Sequence, residues 1–435
     1  MKSFKRIIFL FALTSILFGK AFDNSTFKNS KVMDVPDLSF TNKVYSGLDI
    51  LEQMDFRPIK NKSIVIVTNQ TAVNRNGTHL LDLLKPITNI KVKAILELEY
   101  GLWGIDDKRA KLIGREKIEP VHGAKIIDLF NKYVYPPSWV FKNTDILLID
   151  IQDTGSRYTT YNATLSKIFE SASDMKVDVI ILDRPNPIRG DIVEGPIPRT
   201  EFQSYESYHL LPIRHGLTIG EISIIANEMG WIKDLKKIQL TVIPLSNWKR
   251  KMWYHETSFI WKEPAPYIKN ELTLLAYSGM DLFRGTNVNL GFGTDKPYLI
   301  IGAPWLEINF FLKKLNEQNL KGVNFKAIKY RPKGSTNFNK VPIYDGLSCS
   351  GIELEIIDMN EFNPIITATT IILLMHQLHP RQFQWKKGGY IDQLFGSDIL
   401  RVIASQKKSP DQLPPHWHKD VYRFLDFRKS FLLYK

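Results

Sequence analysis

The stretch TDILLIDIQDTGSRYTTY, residues 144–161, decides the fold of this chain. Its first part, TDILLID, is a short apolar run rich in branched side chains, which is typical of a buried strand. Polar and aromatic residues follow that strand at once. They are Asp150, Asp153, Arg157, Tyr158 and Tyr161. A buried strand that ends in such a cluster predicts an α/β protein with a binding site at the strand end.

Three further apolar runs of this kind lie before and after it. They are SIVIVTN (63–69), KVKAILELE (91–99) and VDVIILD (177–183). Stretches with helical spacing separate the four runs. They are GTHLLDLLK (77–85), GAKIIDLFNK (123–132) and TLSKIFESASDM (164–175). This alternation predicts a Rossmann-like domain over residues 46–245, in which a parallel sheet is covered by helices on both faces.

The carboxyl ends of the other strands also carry polar side chains. The candidates for a site are Asn69, Gln70, Glu99, Arg184 and Asn186. Ligands of open α/β sheets bind outside the carboxyl ends of the strands, so we predict one site built from several strand ends. Three prolines hold the loop LDRPNPIRGDIVEGP (182–196) rigid. The structural alternative for Arg184 is an ion pair with a neighbouring carboxylate.

The segment PIRHGLTIGE, residues 212–221, adds Arg214 and His215 to the candidates. Its TIGE portion has the form of a capping box that opens a helix. Arg214 and His215 lie just before that helix, where an arginine beside a histidine suits a carboxylate ligand.

After residue 245 the chain is richer in tryptophan, proline and loops. Strand candidates are FKAIKY (325–330) and GIELEIID (351–358), and TATTIILLMHQLH (367–379) has the pattern of a helix. We therefore predict a smaller α+β domain over residues 246–435 that completes the cleft.

The first 21 residues, MKSFKRIIFLFALTSILFGKA, combine a basic start, a short apolar stretch and small residues at cleavage spacing. This pattern predicts a signal peptide and therefore an exported protein. Residues 22–45 are polar and lack periodicity, which predicts a linker. The formal charge of +13 favours acidic polymers, and for an exported protein these are wall or surface glycans, not nucleic acid.

Nothing in the sequence calls for a cofactor or a metal. The first strand is followed by TNQTAVNRNG instead of a glycine fingerprint, and the chain contains no GxxxxGK[ST] motif. Cys349 is the only cysteine, which excludes an internal disulfide and a multi-cysteine metal site. We expect neither a metal nor a cofactor, and no membrane span after the signal peptide is cleaved.

Several motifs occur in the order seen in one protein family. They are VTNQT (67–71), DIQDTGSRYTTY (150–161), ILDRPNP (181–187), EGP (194–196), PIRHGLTIGE (212–221), GTNVNLGFGT (285–294), GAPW (302–305) and IDQLFGSDILR (391–401). Through these motifs residues 47–403 resemble the exo-β-N-acetylmuramidase family. The resemblance implies a Rossmann-like domain followed by a smaller one. It also implies removal of N-acetylmuramic acid from the non-reducing ends of peptidoglycan fragments or muropeptides.

The chain departs from the family pattern in five places. The family's Pro-Glu-His-Gly reads LEYG, with Tyr100 in place of histidine, and Trp103 replaces an arginine. EGTN becomes RGTN at Arg284, GRGT becomes GFGT at Phe292, and PSPN becomes PAPY at Pro264–Tyr267. Two alternatives therefore stay open, a glycosidase with altered amino-sugar specificity and a non-catalytic glycan-binding protein of the cell wall.

Glycoside hydrolysis uses one protonated carboxyl group and one ionised carboxylate. The resemblance favours Glu99 as the acid. Asp150 and Asp153 are the candidate partners, and Arg157 would keep one of them ionised. The sequence leaves open which aspartate acts, whether the reaction retains or inverts the anomeric configuration, and the oligomeric state.

The residues predicted to contact the substrate fall into groups by chemistry. A lactyl carboxylate suits Arg184, Arg214 and His215. Acetamido and hydroxyl groups suit Asn69, Gln70 and Asn186, and sugar rings suit the faces of Trp103, Tyr158 and Tyr161. Tyr100, beside the acid, can orient or donate.

Overall fold

A computed structural model describes residues 27–104, 111–113, 116–334 and 341–435, so the predicted signal peptide lies outside the described residues. This part of the chain contains a nine-stranded sheet and a three-stranded sheet. The strands of the large sheet are β1 (Ser30–Val32), β2 (Ser63–Thr68), β3 (Lys91–Glu97), β4 (Lys111–Ile113), β5 (Glu116–Glu119), β6 (Ala124–Asp128), β7 (Ile146–Asp150), β8 (Asp178–Leu182) and β9 (Leu240–Ile243). The strands of the small sheet are β10 (Ile300–Ala303), β11 (Val323–Tyr330) and β12 (Cys349–Ile356).

Helices connect and cover both sheets. They are α1 (Gly47–Gln53), α2 (Leu80–Leu84), α3 (Ser138–Phe141), α4 (Tyr161–Met175), α5 (Ile219–Glu228), α6 (Glu271–Met280), α7 (Ile308–Asn316), α8 (Pro364–Leu378), α9 (Tyr390–Phe395), α10 (Ile399–Ser405) and α11 (Pro415–Arg428). Within the described ranges, none of these helices combines the length and the apolar character that crossing a bilayer requires.

The large sheet is predominantly parallel, with the strand order β1-β9-β8-β7-β2-β3-β6-β5-β4. In this order every neighbouring pair from β1 as far as β6 is parallel, and only the pairs β6–β5 and β5–β4, at one edge, are antiparallel. Along β2, Ile64 and Ile66 pack into one apolar core. Val65 and Val67 pack into another core on the opposite face. Because both faces are buried, the strands read as unbroken apolar runs, and the predicted α/β class is confirmed.

The four predicted strands are present as β2, β3, β7 and β8, but the helix predicted at residues 123–132 is wrong. Residues Ala124–Asp128 form β6, which pairs with β3 on one side and β5 on the other. Ile126 packs into the core on one face and Ile127 into the core on the other. Two consecutive apolar residues suit a strand that is covered on both faces, and apolar spacing alone does not distinguish this from a helix.

Part of the predicted linker belongs to the sheet. Residues 30–32 form β1, an edge strand that pairs in parallel with β9. The side-chain amide of Asn227, near the end of α5, donates to the Asn29 carbonyl at 3.2 Å and to the Ser30 hydroxyl at 3.0 Å. This short strand is held mainly by hydrogen bonds, so it lacks the apolar alternation that would have marked it in the sequence.

The second part of the chain forms the small sheet, in the order β10-β12-β11 with all pairs antiparallel. Helices α6, α7 and α8 pack with it around a separate apolar core. The two strands and the helix predicted in this region are present as β11, β12 and α8. The domain division at residue 245 stays a prediction.

The carboxyl-terminal segment returns to the large sheet. Phe424 and Phe431 pack into the core on one face of that sheet. The hydroxyl of Tyr434 donates to Asp183 Oδ2 at 2.5 Å, and Asp183 also accepts from the Thr218 hydroxyl at 2.7 Å. The last residues of the chain therefore fasten the end of β8 to the start of α5.

We predict a pH-dependent stability from His209, which is 6% exposed. Its Nε2 lies 2.8 Å from the Ser166 hydroxyl, and its ring stacks on Trp231 at 5.0 Å. Burial, followed by the charge of Lys167, lowers the pKa of His209 to about 3. Below pH ~6.5 the unfolded chain binds a proton that the folded chain does not. The free energy of unfolding should therefore fall by up to about 1.4 kcal/mol for each unit by which the pH is lowered.

Urea unfolding at pH 7, 6 and 5 measures this effect, with His209→Gln as the matched variant, because glutamine can still bond to Ser166. From one pH unit to the next, the free energy of unfolding of the variant should change by up to about 1.4 kcal/mol less than that of the parent protein. Equal slopes for the parent and the variant would mean that His209 is protonated inside the folded protein.

Candidate active site

A cavity of about 1170 Å³ lies where the carboxyl ends of the large sheet meet the loops of the second part of the chain. One wall comes from residues that follow β3 and β7. The other wall comes from the loop before α6 and from side chains between residues 277 and 298. The cavity thus lies at the strand ends, where the sequence predicts a site, and both parts of the chain contribute to it.

Glu99 lies on this cavity wall, two residues after the end of β3. The hydroxyl of Thr160, just before α4, donates to Glu99 Oε2 at 2.7 Å. Burial, followed by the charge of Glu99, raises the pKa of Tyr100 well above its ordinary value, so this phenol is a neutral donor beside the carboxylate. Trp103 instead packs on His79, with ring centroids 4.7 Å apart, and does not line the cavity.

The turn between β7 and α4 forms part of the same wall. Its lining residues are Thr154, Tyr158, Thr159 and Thr160. The turn requires Gly155, whose φ is +75° and where a Cβ atom would lie 2.6 Å from Asn186 Oδ1. Asn186 donates to the Leu217 carbonyl at 2.9 Å and accepts from the Ile188 N–H at 3.1 Å. The structure therefore places Asn186 behind the turn, in contact with backbone groups.

Asp150 and Arg184 form a buried ion pair behind the cavity wall. Arg184 Nε and Nη2 donate to the two carboxylate oxygens of Asp150 at 2.5 and 2.9 Å, and the side chains are 5% and 0% exposed. Burial raises the pKa of Asp150, and the charge of Arg184 opposes that rise. The structure thus shows the ion-pair alternative for Arg184, and neither residue lines the cavity.

Asp153 and His215 form a second buried pair under the same turn. His215 Nδ1 accepts from the Leu217 N–H at 3.1 Å, which leaves the proton on Nε2, 3.2 Å from Asp153 Oδ2. The same Asp153 oxygen accepts from the Gly155 N–H at 2.8 Å. Both side chains support the turn from behind and lie outside the cavity lining.

Arg157 joins the two parts of the chain. Its guanidinium donates to the backbone carbonyls of Pro196, Leu211 and Leu394, and the last of these lies in α9. Burial lowers the pKa of Arg157 to about 10. The sequence predicts that Arg157 keeps an aspartate ionised, whereas in the structure its guanidinium donates to backbone carbonyl oxygens.

Arg214 is also a buried structural residue. Its Nε donates to the Ile188 carbonyl at 3.1 Å, and its Nη1 forms an ion pair with Glu194 Oε2 at 3.0 Å. The guanidinium lies over the ring of Trp253, 5.6 Å from its centroid. Arg214 therefore lies away from the cavity lining.

Three other predicted contact residues hold the loop before α6. Tyr161 is fully buried, and its hydroxyl donates to the Pro264 carbonyl at 2.7 Å. Asn69 Nδ2 donates to that same hydroxyl at 3.1 Å. Gln70 Nε2 donates to the Glu263 carbonyl at 2.8 Å. These bonds fix the position of a loop that lines the cavity.

A row of aromatic rings runs from the first wall onto the second wall. In spatial order it runs Tyr158, Tyr277, Tyr298, Phe292, Tyr267. The centroids of successive rings are 6.2, 5.2, 5.2 and 4.9 Å apart. The first three rings are buried, whereas the last two are half-buried. Such a wall offers ring faces to the apolar faces of a sugar.

A charged cluster adjoins the buried end of this row. Arg284 donates from Nε and Nη2 to Asp281 Oδ2 at 2.8 and 2.6 Å, and from Nη1 to the Tyr390 hydroxyl at 2.8 Å. Burial raises the pKa of Asp281, and the charge of Arg284 opposes that rise. Burial, followed by Asp281 and with a smaller effect from Glu99, raises the pKa of Tyr298. The Tyr298 hydroxyl lies 3.5 Å from Asp281 Oδ1, so this carboxyl group is next to the aromatic row.

Asp281 is a cavity residue that is not among the candidates from the sequence. It follows the end of α6 and does not lie at a strand end. One signal was available, because Asp281 and Arg284 are three residues apart, the spacing of an ion pair on a helix. Among the described residues, no group of three or more acidic, histidine or cysteine side chains is arranged to hold a metal ion.

The parts of this site define a class of protein. An α/β sheet presents a glutamate in a cavity at its strand ends, a second buried carboxyl group lies nearby, and aromatic rings line the wall. Paired carboxyl groups and aromatic surfaces on which a sugar ring can stack are typical of glycoside hydrolases.

Comparison with known proteins gives the family. Residues 64–272 match the family described as exo-beta-N-acetylmuramidase NamZ, N-terminal, and residues 275–434 match its C-terminal counterpart. The chain is 31% identical over 430 residues to the peptidoglycan beta-N-acetylmuramidase NamZ of Bacillus subtilis strain 168, covering 99% of this chain and 100% of that protein. This chain belongs to the exo-β-N-acetylmuramidase NamZ family and is a glycoside hydrolase.

Two solved structures of DUF1343 family proteins from Bacteroides fragilis NCTC 9343 have the same fold. One superposes with a TM-score of 0.82 at 26% identity, and the other with 0.73 at 28% identity. Each comparison covers 90% of this chain and 99% of the other chain.

We predict that Asp150→Asn destabilises the protein without changing the chemistry. The substitution leaves Arg184 buried without a counter-charge, which should lower the free energy of unfolding by about 3–5 kcal/mol. The double variant Asp150→Leu, Arg184→Met removes both charges and should recover much of that loss. Chemical denaturation and the kcat of the folded fraction measure the two effects. Normal stability with a lost kcat would instead place Asp150 in the reaction.

Proposed function

We propose that this chain is an exported, exo-acting glycosidase that removes N-acetylmuramic acid from the non-reducing ends of peptidoglycan fragments. The observation that carries the proposal is the position of Glu99, on the cavity wall with its carboxylate held by Thr160 at 2.7 Å. Membership of the NamZ family and the similarity to the Bacillus subtilis enzyme support it.

In this mechanism Glu99 is the general acid. It gives its proton to the glycosidic oxygen while the bond from that oxygen to the anomeric carbon breaks, and the bonding electrons pass to the oxygen. Tyr100 remains protonated beside Glu99, because burial raises its pKa well above the ordinary value. Its hydroxyl therefore provides a hydrogen bond that orients the carboxyl group or the leaving oxygen.

We assign the ionised carboxylate of the pair to Asp281. It lines the same cavity as Glu99, has a cationic partner in Arg284 at 2.6 Å, and lies 3.5 Å from the Tyr298 hydroxyl. The Arg284 charge favours the ionised form of Asp281 against the effect of burial. This carboxylate then directs a water molecule to the anomeric carbon or attacks that carbon itself.

Recognition of an acidic sugar requires a cation in the cavity. Arg184, Arg214 and His215 lie elsewhere, but Arg284 and Lys386 both line it. Burial, followed by the neighbouring charge of Arg284, lowers the pKa of Lys386, so two cationic groups are close together there. Arg284 is already paired with Asp281 and Glu206, so Lys386 is the cation that supports binding of the lactyl carboxylate that distinguishes N-acetylmuramic acid from other amino sugars.

We predict that Glu99 is the general acid, and the variant Glu99→Gln tests this. Glu201→Gln is the matched control, since Glu201 is exposed and does not line the cavity. Loss of the proton donor should lower kcat/KM on a chromogenic N-acetylmuramic acid glycoside by about 100-fold or more. Glu201→Gln should retain parental activity. The assay measures the release of chromophore and, with a muramic-acid-ended disaccharide, the release of free sugar.

The other outcomes favour the alternatives. Binding of both substrates without turnover by the parent protein would support a glycan-binding protein of the cell wall. Turnover of a different N-acetylated sugar, with the muramic acid substrates left intact, would support a glycosidase of altered specificity.

Export has its own prediction. The basic start, short apolar stretch and small residues of segment 1–21 support cleavage after residue 21. Protein recovered outside the cytoplasm should therefore have the mass of a chain that begins at Phe22, whereas a version lacking residues 2–21 should stay inside the cell. Recovery of the uncleaved chain in the cytoplasm would overturn the export proposal.

A further inference from the structure

The aromatic row contains two tyrosines with an unusual backbone. Tyr267 has a φ of +75° and Tyr298 a φ of +64°. Bulky residues rarely adopt this left-handed region, and where they do the surrounding structure must hold them there. Both side chains line the cavity. The strained backbone thus coincides with the position of two rings in the candidate site.

The loop around Tyr267 is held firmly on both sides. Before it, the Pro264 carbonyl accepts from the buried Tyr161 hydroxyl at 2.7 Å. Ala265 and Ile268 are 9% and 1% exposed, and the Ile268 N–H donates to the Ala265 carbonyl at 3.2 Å. Tyr267 lies between these buried residues and is itself only half-buried. The fold therefore holds one aromatic ring partly exposed at the cavity.

Phe292 completes the surface on which Tyr267 lies. The two ring centroids are 4.9 Å apart with an angle of 43° between the planes, and Phe292 is also half-buried. Phe292 is in turn 5.2 Å from Tyr298, whose hydroxyl lies 3.5 Å from Asp281 Oδ1. The pair is thus one ring beyond the tyrosine that is next to the second carboxyl group, a step comparable with the length of one pyranose.

The exposure of the rings shows which end of the row faces solvent. Tyr158, Tyr277 and Tyr298 are 2%, 8% and 6% exposed, whereas Tyr267 and Phe292 form the more open end. An exo-acting enzyme holds the terminal sugar at the closed end of its site and lets the remainder of the substrate extend toward solvent. The open pair therefore lies where the leaving part of the substrate passes.

We propose that Tyr267 and Phe292 form a stacking subsite for the pyranose ring on the leaving-group side of the scissile bond. The subsite rests on the proposed function and adds to it the residues that recognise the second sugar. Covering half-exposed aromatic faces with the apolar face of a sugar ring is favourable. This contribution to binding does not depend on the charges around Arg284.

The test compares two substrates with the same terminal sugar. One is a disaccharide with N-acetylmuramic acid at its non-reducing end, and the other is the methyl β-glycoside of N-acetylmuramic acid, which has no second ring. Tyr267→Asn should raise KM for the disaccharide on the order of tenfold and leave the methyl glycoside unchanged. Tyr267→Phe keeps the ring and should behave like the parent protein on both substrates.

Asparagine is chosen because it tolerates a positive φ, so the variant should fold at least as well as the parent. Leu235→Asn is the matched control, since Leu235 has a φ of +56°, is 64% exposed and does not line the cavity. It should leave both KM values unchanged. Equal effects of Tyr267→Asn on both substrates, or on neither, would overturn the subsite.

Failure of the proposed function gives a different result, because the parent protein would then turn over neither substrate. In that case calorimetry with the same disaccharide decides the subsite. Weaker binding by Tyr267→Asn than by the parent and by Leu235→Asn would support it, whereas equal or absent binding would overturn it.

Discussion

Both faces of the large sheet are covered, and this constraint decides where the chemistry of the protein can lie. Residues such as Val65 and Ile66 alternate between two apolar cores, so a polar side chain in mid-strand would be buried without partners. In the central strands β2, β7 and β8, polar side chains are therefore confined to the strand ends. There they form two layers. Inner pairs such as Asp150–Arg184 complete the fold, and outer groups such as Glu99 face the cavity.

The sequence was sufficient to predict the covered sheet, because continuous apolar runs separated by helical spacing are typical of parallel strands buried on both faces. The cavity lies at the carboxyl edge of that sheet. It was insufficient to assign the polar residues to the two layers. Asp150 ends β7, which lies between β2 and β8, so neighbouring strands enclose it on both sides. Glu99 comes two residues after β3 has ended and escapes that enclosure. Both are acids after an apolar run, and only the positions of neighbouring strands distinguish them.

The aromatic row of the cavity could not be predicted from the sequence, for a different reason. The aromatic row joins residues up to 140 positions apart in the chain, and its outer end depends on a left-handed backbone that no side-chain pattern predicts for a tyrosine. Two departures from the family pattern, Tyr267 and Phe292, looked unrelated in the sequence. In the structure their rings are in contact, so they represent one change in the cavity wall.

Several residues that seemed suited to a substrate instead join the two parts of the chain. Arg157 donates to the Leu394 carbonyl in α9, Tyr161 to Pro264, and Gln70 to Glu263. Since the cavity lies between the two parts, these bonds fix the distance between its walls. Buried hydrogen bonds between the two parts of the chain therefore set the width of the cavity, and they account for a polar cluster whose side chains point into the protein.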